Sequence, residues 1–230
     1  MNQYPPSTLS ARSESVVRSF IGRTYSWMTA GLALTAAIAY FVGRNPDLMV
    51  SIGRSGFLLP LVQLGIVMFL SFLAPRVSAT VAGLLFMAYS AVTGLTFGVI
   101  FQFYTASDVT AAFLTTAGTF GAMSAFGFLT RRNLAPMGTF LMFALIGLII
   151  ASIVNIFIGG STLNLIISAV GVLLFAGLTA YDTQMLRNMA LQGFGDAHTQ
   201  EKGAIYGALT LYLNFINMFL FILRLFSSRD

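Results

Sequence analysis

FAGLTAYDTQMLRNM occupies residues 175–189 and GALTLYLNFINMFLF residues 207–221, with the polar stretch LQGFGDAHTQEKG at 191–203 between them. Both outer segments are apolar enough to belong to membrane-crossing helices, yet each carries polar groups. Asp182 lies near the end of the first apolar run, and Asn214 and Asn217 lie inside the second. An ionised carboxylate without water is costly even after its surroundings relax, so such a residue is a functional candidate by default. The rest of the chain reads as scaffold for this pair of helices.

Composition sets the class. Of 230 residues, 57% are hydrophobic and 8% charged, and the mean hydropathy is +0.85. A soluble domain carries about 25% charged residues, so this chain lacks the charge to cover a water-facing surface. Repeated apolar runs of spanning length predict an all-α, polytopic membrane protein with no room for a second soluble domain. The absence of cysteine excludes disulfides, thiolate metal sites and cysteine nucleophiles. A net charge of +5 does not point to nucleic acid, because the arginines stand singly at helix ends, as topology signals do. No Gly-rich phosphate loop, Ser-His-Asp set or cofactor motif is visible, so no enzyme and no cofactor are expected.

Residues 1–23 are polar, with Pro5, Pro6, serines and three arginines, and read as a mobile cytoplasmic tail, amphipathic near Val16–Ile21. No cleavable signal peptide is expected, since the first apolar run is long enough to span. Residues 24–230 then form a seven-helix transmembrane domain, with spans at 24–42, 57–73, 79–101, 109–130, 137–158, 163–181 and 204–223. The second span is the shortest, which suits a tilted or shallow helix. Arg12, Arg18, Arg23, Arg76, Arg131, Arg132, Arg187 and Lys202 fall on one side; Arg44, Arg54, Arg224 and Arg229 fall on the other. The positive-inside bias predicts a cytoplasmic N-terminus and, after seven spans, an external C-terminus. Gly94 with Gly98, Gly203 with Gly207, and Gly118, Gly121 and Gly127 offer small faces for close helix packing within the chain.

On span seven, Tyr206, Thr210, Asn214, Asn217 and Arg224 recur at helical spacing and form a polar stripe. Such a stripe must face protein or water, which predicts that helix seven is central and ringed by the others. Hydrogen bonding between helices, without transport, is the plainer explanation of Asn and Thr there, as a solvated interfacial position is for Asp182. The simple register leaves a tension. Asp182 would lie at one end of span six, whereas Asn214 would lie some ten residues, or about 15 Å, inside span seven. Asp108 reads as a helix N-cap before Val109.

Two motifs fail. Tyr181-Asp182 followed by Gly193-Phe194-Gly195-Asp196 mimics intramembrane aspartyl proteases, which need both carboxylates on neighbouring membrane helices; here the second lies in the polar loop. His198 with Asp196 and Glu201 is too poor in ligands to hold a metal, so no metal site is expected.

The segment Gly177–Gln184 (GLTAYDTQ), followed by Gly207–Asn217 (GALTLYLNFIN), resembles the Bax inhibitor-1 family, also called the transmembrane Bax-inhibitor-motif family, and in particular its bacterial inner-membrane branch. AYSAVTGLT at 88–96 and the segment 118–127 extend the similarity over most of the chain. The resemblance implies six helices around a seventh, and a pH-sensitive Ca²⁺ leak gated by aspartates on helices six and seven and an arginine near the start of helix three. Asp182 and Arg76 match two of these; the third falls on Asn214, in LYLNFIN where the family usually has LYLDFIN. An Asn offers a donor and an acceptor, as a protonated Asp does, but never ionises. Two function classes follow: a leak for Ca²⁺, with protons as a second permeant ion, or a regulatory protein that binds other membrane machinery such as quality-control proteases. A substrate transporter should show inverted repeats and broken helices, and neither is visible.

Overall fold

The computed structural model describes residues 6–56, 58–73 and 77–227 and contains no strand among them. Eight α-helices follow in order: α1 (Pro6–Gly43), α2 (Pro46–Gly53), α3 (Leu58–Leu73), α4 (Ala79–Ile100), α5 (Ala106–Leu129), α6 (Ala135–Ile158), α7 (Ser161–Gln192) and α8 (Ala197–Ser227). At about 1.5 Å per residue, the 22 to 24 residues of α4, α5 and α6 match a hydrocarbon core of about 30 Å.

Six of these helices are long and apolar enough to cross a membrane, and the number reaches seven if α2 and α3, bent by 73° at Arg54–Gly56, count as one span. Seven spans were expected; the second, at 57–73, corresponds to α3, and the short α2 before it is the element the sequence reading lacked. Pro46 starts α2 at its first turn, and Gly56 at φ +52° turns the chain before α3. The N-terminal segment differs too. Residues 6–23 are the opening turns of α1 rather than a separate tail, with Val17 and Phe20 buried.

Helix ends follow local chemistry. Thr105, not Asp108, caps α5: the Thr105 hydroxyl accepts from Asp108 N–H while Asp108 Oδ2 accepts from Thr105 N–H, which makes a reciprocal capping box. Gly159 at φ +69° and Gly193 at φ +83° end α6 and α7 in the left-handed region that suits glycine. Asp196 Oδ1 accepts from Thr199 N–H at 2.6 Å at the start of α8, and this bond holds the carboxyl below its ordinary range.

The chain divides into two compact units, and α7 and α8 contribute to both. One comprises Met1–Phe103 and Arg187–Tyr212. There α4 lies close against α1, because Gly94 faces Ile38 and the Thr35 carbonyl, and Gly98 faces Val42. A Cβ at either glycine would fall under 3 Å from those atoms, so the small pair serves packing within the chain. Glu201 of α8 ties to α1 twice: Arg23 donates to it at 2.9 Å and Trp27 Nε1 at 2.8 Å.

The other unit comprises Tyr104–Leu186 and Leu213–Asp230. Gly127 of α5 lies directly against the Ala180 backbone of α7, and Gly138 of α6 lies under the Tyr181 ring. Gly118 and Gly121 have nothing within 4 Å of a Cβ, so the glycine face expected on α5 is Gly127 alone. Phe215 of α8 meets the Phe113 and Phe120 rings edge-on. Burial is uneven. It takes in 56% of the apolar window of α8 but 17% of that of α6, whose Phe140, Phe143 and Phe157 point outward as lipid-facing side chains do.

Candidate functional site

The hairpin of α7 and α8 positions the central pair. Phe175 lies seven residues before Asp182, and its ring stacks on that of Phe221, seven residues after Asn214. Each step down α7 is thus matched by a step up α8. Between these contacts, Asn214 Nδ2 donates to Asp182 Oδ2 at 2.6 Å, with Asp182 7% exposed and Asn214 5%. The register tension disappears because both helices are longer than their apolar runs. α7 continues past Asp182 to Gln192 and α8 begins at Ala197, so the connection is four residues, much shorter than the polar stretch at 191–203.

Geometrically the site is a carboxylate bonded to an amide across two spanning helices. A hydrogen bond to a charged acceptor contributes about 1.5–3 kcal/mol and offsets part of the cost of enclosing it. Arg76, assigned by resemblance to the same site, lies outside the described residues.

The stripe on α8 divides. Tyr206, Thr210 and Asn217 are half-buried and Arg224 is exposed, whereas Asn214 is turned to the buried face. Thr210 donates to the Tyr206 carbonyl at 3.1 Å, and Asn217 Nδ2 to the Leu213 carbonyl at 2.8 Å, so both hydroxyl and amide are bonded to their own helix.

Two polar features went unread in the sequence. Gln184, two residues past Asp182 and buried, accepts from Leu134 N–H and donates to the Arg132 carbonyl, each at 2.8 Å. It supplies the partner that the start of α6 lacks, since Leu134 provides no side-chain cap. In the first unit, the Tyr212 hydroxyl meets Thr35 Oγ1 at 2.7 Å, Thr35 donates to the Ser90 carbonyl, and Gln63 Nε2 donates to Thr93 Oγ1 at 3.0 Å. The available signal was Gln63, the one amide inside span two, which needed a partner in lipid. Among the described residues, no three His, Asp or Glu side chains gather as metal ligands would.

Spanning helices with an enclosed carboxylate define a multi-pass membrane protein. Comparison with known proteins gives its family: the profile described as "Inhibitor of apoptosis-promoting Bax1" matches residues 17–230, and the chain belongs to this Bax inhibitor-1 family. It is 42% identical over 233 residues to the Inner membrane protein YbhL of Escherichia coli (strain K12), covering 100% of both chains. An uncharacterized protein of Deinococcus radiodurans is 52% identical over 214 residues, covering 93% of this chain and 92% of the relative. An uncharacterized membrane protein of Streptococcus pyogenes is 32% identical over 228 residues, covering 95% and 96%. The chain is an inner-membrane protein of this family.

Proposed function

We propose that the protein is a pH-sensitive leak channel for Ca²⁺, with protons as a second permeant ion, and that Asp182, Asn214 and Arg76 form its gate. The observation that carries this is the 2.6 Å hydrogen bond from Asn214 to the buried Asp182 carboxylate, which joins α7 to α8. While the bond holds, it joins the two helices at that level and keeps the carboxylate from a passing cation. Protonating Asp182 weakens the bond, because a neutral acid is a poorer acceptor than a carboxylate. Proton concentration therefore acts on the seam between the helices. Tyr206, Thr210 and Asn217 present polar groups on the less buried face of α8, where a hydrated ion needs them. The mechanism involves no chemical step and no cofactor. The charge pattern supports a cytoplasmic N-terminus and a periplasmic C-terminus.

Ca²⁺ uptake into proteoliposomes across a pH series tests the gate, with wild type compared with Asp182→Ala. The variant is expected to lose the pH response. Equal, pH-independent fluxes would remove the gate, and no flux from either protein would favour a regulatory membrane protein that binds other machinery.

A further inference from the structure

We infer that the start of α7 and the end of α8 form a binding site for a phosphate-bearing anion. A cavity of about 330 Å³ lies there, lined by Tyr104, Asn164, Leu165, Ser168, Arg224 and Ser227. At about 30 Å³ per water it has room for roughly ten, enough for a phosphate and a small polar headgroup.

Its chemistry selects an anion. Arg224 is the cation in the last turn of α8, and its guanidinium carbon lies 5.7 Å from the centre of the Phe221 ring, a cation–π contact made by a side chain whose N–H groups are all donors. The first turn of α7 contains no acidic residue, so no side chain there opposes the arginine. Asn155 Nδ2 donates to Asn164 Oδ1 at 2.5 Å, which occupies the acceptor of Asn164 and leaves its own amide hydrogens as donors. Among the described residues no carboxylate lines the cavity; Asp108, the nearest acid in sequence to Tyr104, is engaged by Thr105 in the α5 cap.

The number and spread of donors favour phosphate over carboxylate. A planar carboxylate is satisfied by one arginine fork. Here Tyr104, Ser168 and Ser227, each carrying a hydroxyl, line the cavity together with Arg224 and Asn164, a set of donors that suits a tetrahedral group with oxygens in several directions. Helix termini lie at headgroup depth, so both a phospholipid and free phosphate can reach the cavity.

The test uses the full-length protein in a neutral detergent, with thermal unfolding and native mass spectrometry as readouts. Phosphatidylglycerol, phosphatidylcholine and inorganic phosphate (against chloride at equal ionic strength) are titrated into wild type, Arg224→Gln, Arg224→Lys and Arg44→Gln. Arg44 is a matched control, an exposed arginine over the Tyr40 ring at another helix end. Phosphatidylglycerol is expected to form a one-to-one adduct and raise the unfolding temperature. Arg224→Gln should weaken binding at least about tenfold, the equivalent of losing one charged hydrogen bond. Arg224→Lys should weaken it less, and Arg44→Gln should leave it unchanged. Arg224-dependent stabilisation by inorganic phosphate would identify the phosphate alone as sufficient; stabilisation by phosphatidylglycerol only would identify the lipid as the source. Equal binding by wild type and Arg224→Gln, or equal losses at Arg224 and Arg44, would overturn the site.

Discussion

The Asn214 amide nitrogen can only donate, and it donates to the Asp182 carboxylate. An aspartate at 214 could hold the same bond only while one of the two carboxyls kept a proton, because two carboxylate oxygens at that separation repel. Asn214→Asp should therefore turn a single ionisable site into a pair that shares a proton and titrates in two coupled steps. With Asn, flux should follow Asp182 alone and respond shallowly to pH. With Asp, the response should become steeper or shift between about pH 5 and 8, where a coupled carboxyl can titrate. Ca²⁺ flux from acid to neutral pH on both proteins checks this, and superimposable curves would mean that position 214 packs helices and does not gate.

At the level of helices, the sequence disclosed the spans better than the elements that contain them. Hydropathy reports the portion of a helix that lies in lipid, so α4 and α6 were legible to within two residues, while α7 and α8 read too short. Leu186 and Ala190, one helical turn apart and both buried, continue the inner face of α7 past its apolar run, and the polar Arg187, Asn188 and Gln192 hide that continuation. The same shortfall made Asp182 look terminal. Asp182 and Asn214 were legible because polar groups inside apolar runs are conspicuous; Gln184 was not, since its partners are backbone groups of a distant turn.

The glycines of α5 show a misreading of another kind. Gly118 and Gly127 are nine residues apart, half a turn out of phase at about 100° per residue, so they never shared a face. Gly127→Ala should drive a methyl into the Ala180 backbone and destabilise by about 1–3 kcal/mol. Gly118→Ala, with open space around it, should be neutral or more stable by up to about 1 kcal/mol. Thermal unfolding of both variants in detergent measures the contrast, and equal losses would mean that the α5–α7 contact is looser than the structure has it.

For the whole molecule, charge bears directly on whether α2 and α3 together cross the membrane. If they cross, Arg12, Arg18, Arg23, Arg76, Arg131, Arg132, Arg187 and Lys202 share one side, leaving four basic residues on the other. If they dip and return, every later loop changes sides. Arg44, Arg54, Arg76, Arg131, Arg132, Arg187 and Lys202 then oppose Arg12, Arg18, Arg23, Arg224 and Arg229, a weaker bias that also places the N-terminus outside. Because positive charge in short loops sets orientation, the stronger asymmetry favours the crossing pair. Its expected consequence is termini on opposite faces, the N-terminus cytoplasmic and the C-terminus periplasmic. Reporters active in only one compartment, fused to each end in separate experiments, read this out. Both ends in the same compartment would make α2–α3 a re-entrant pair, and would invert the side from which protons reach Asp182 relative to the N-terminus.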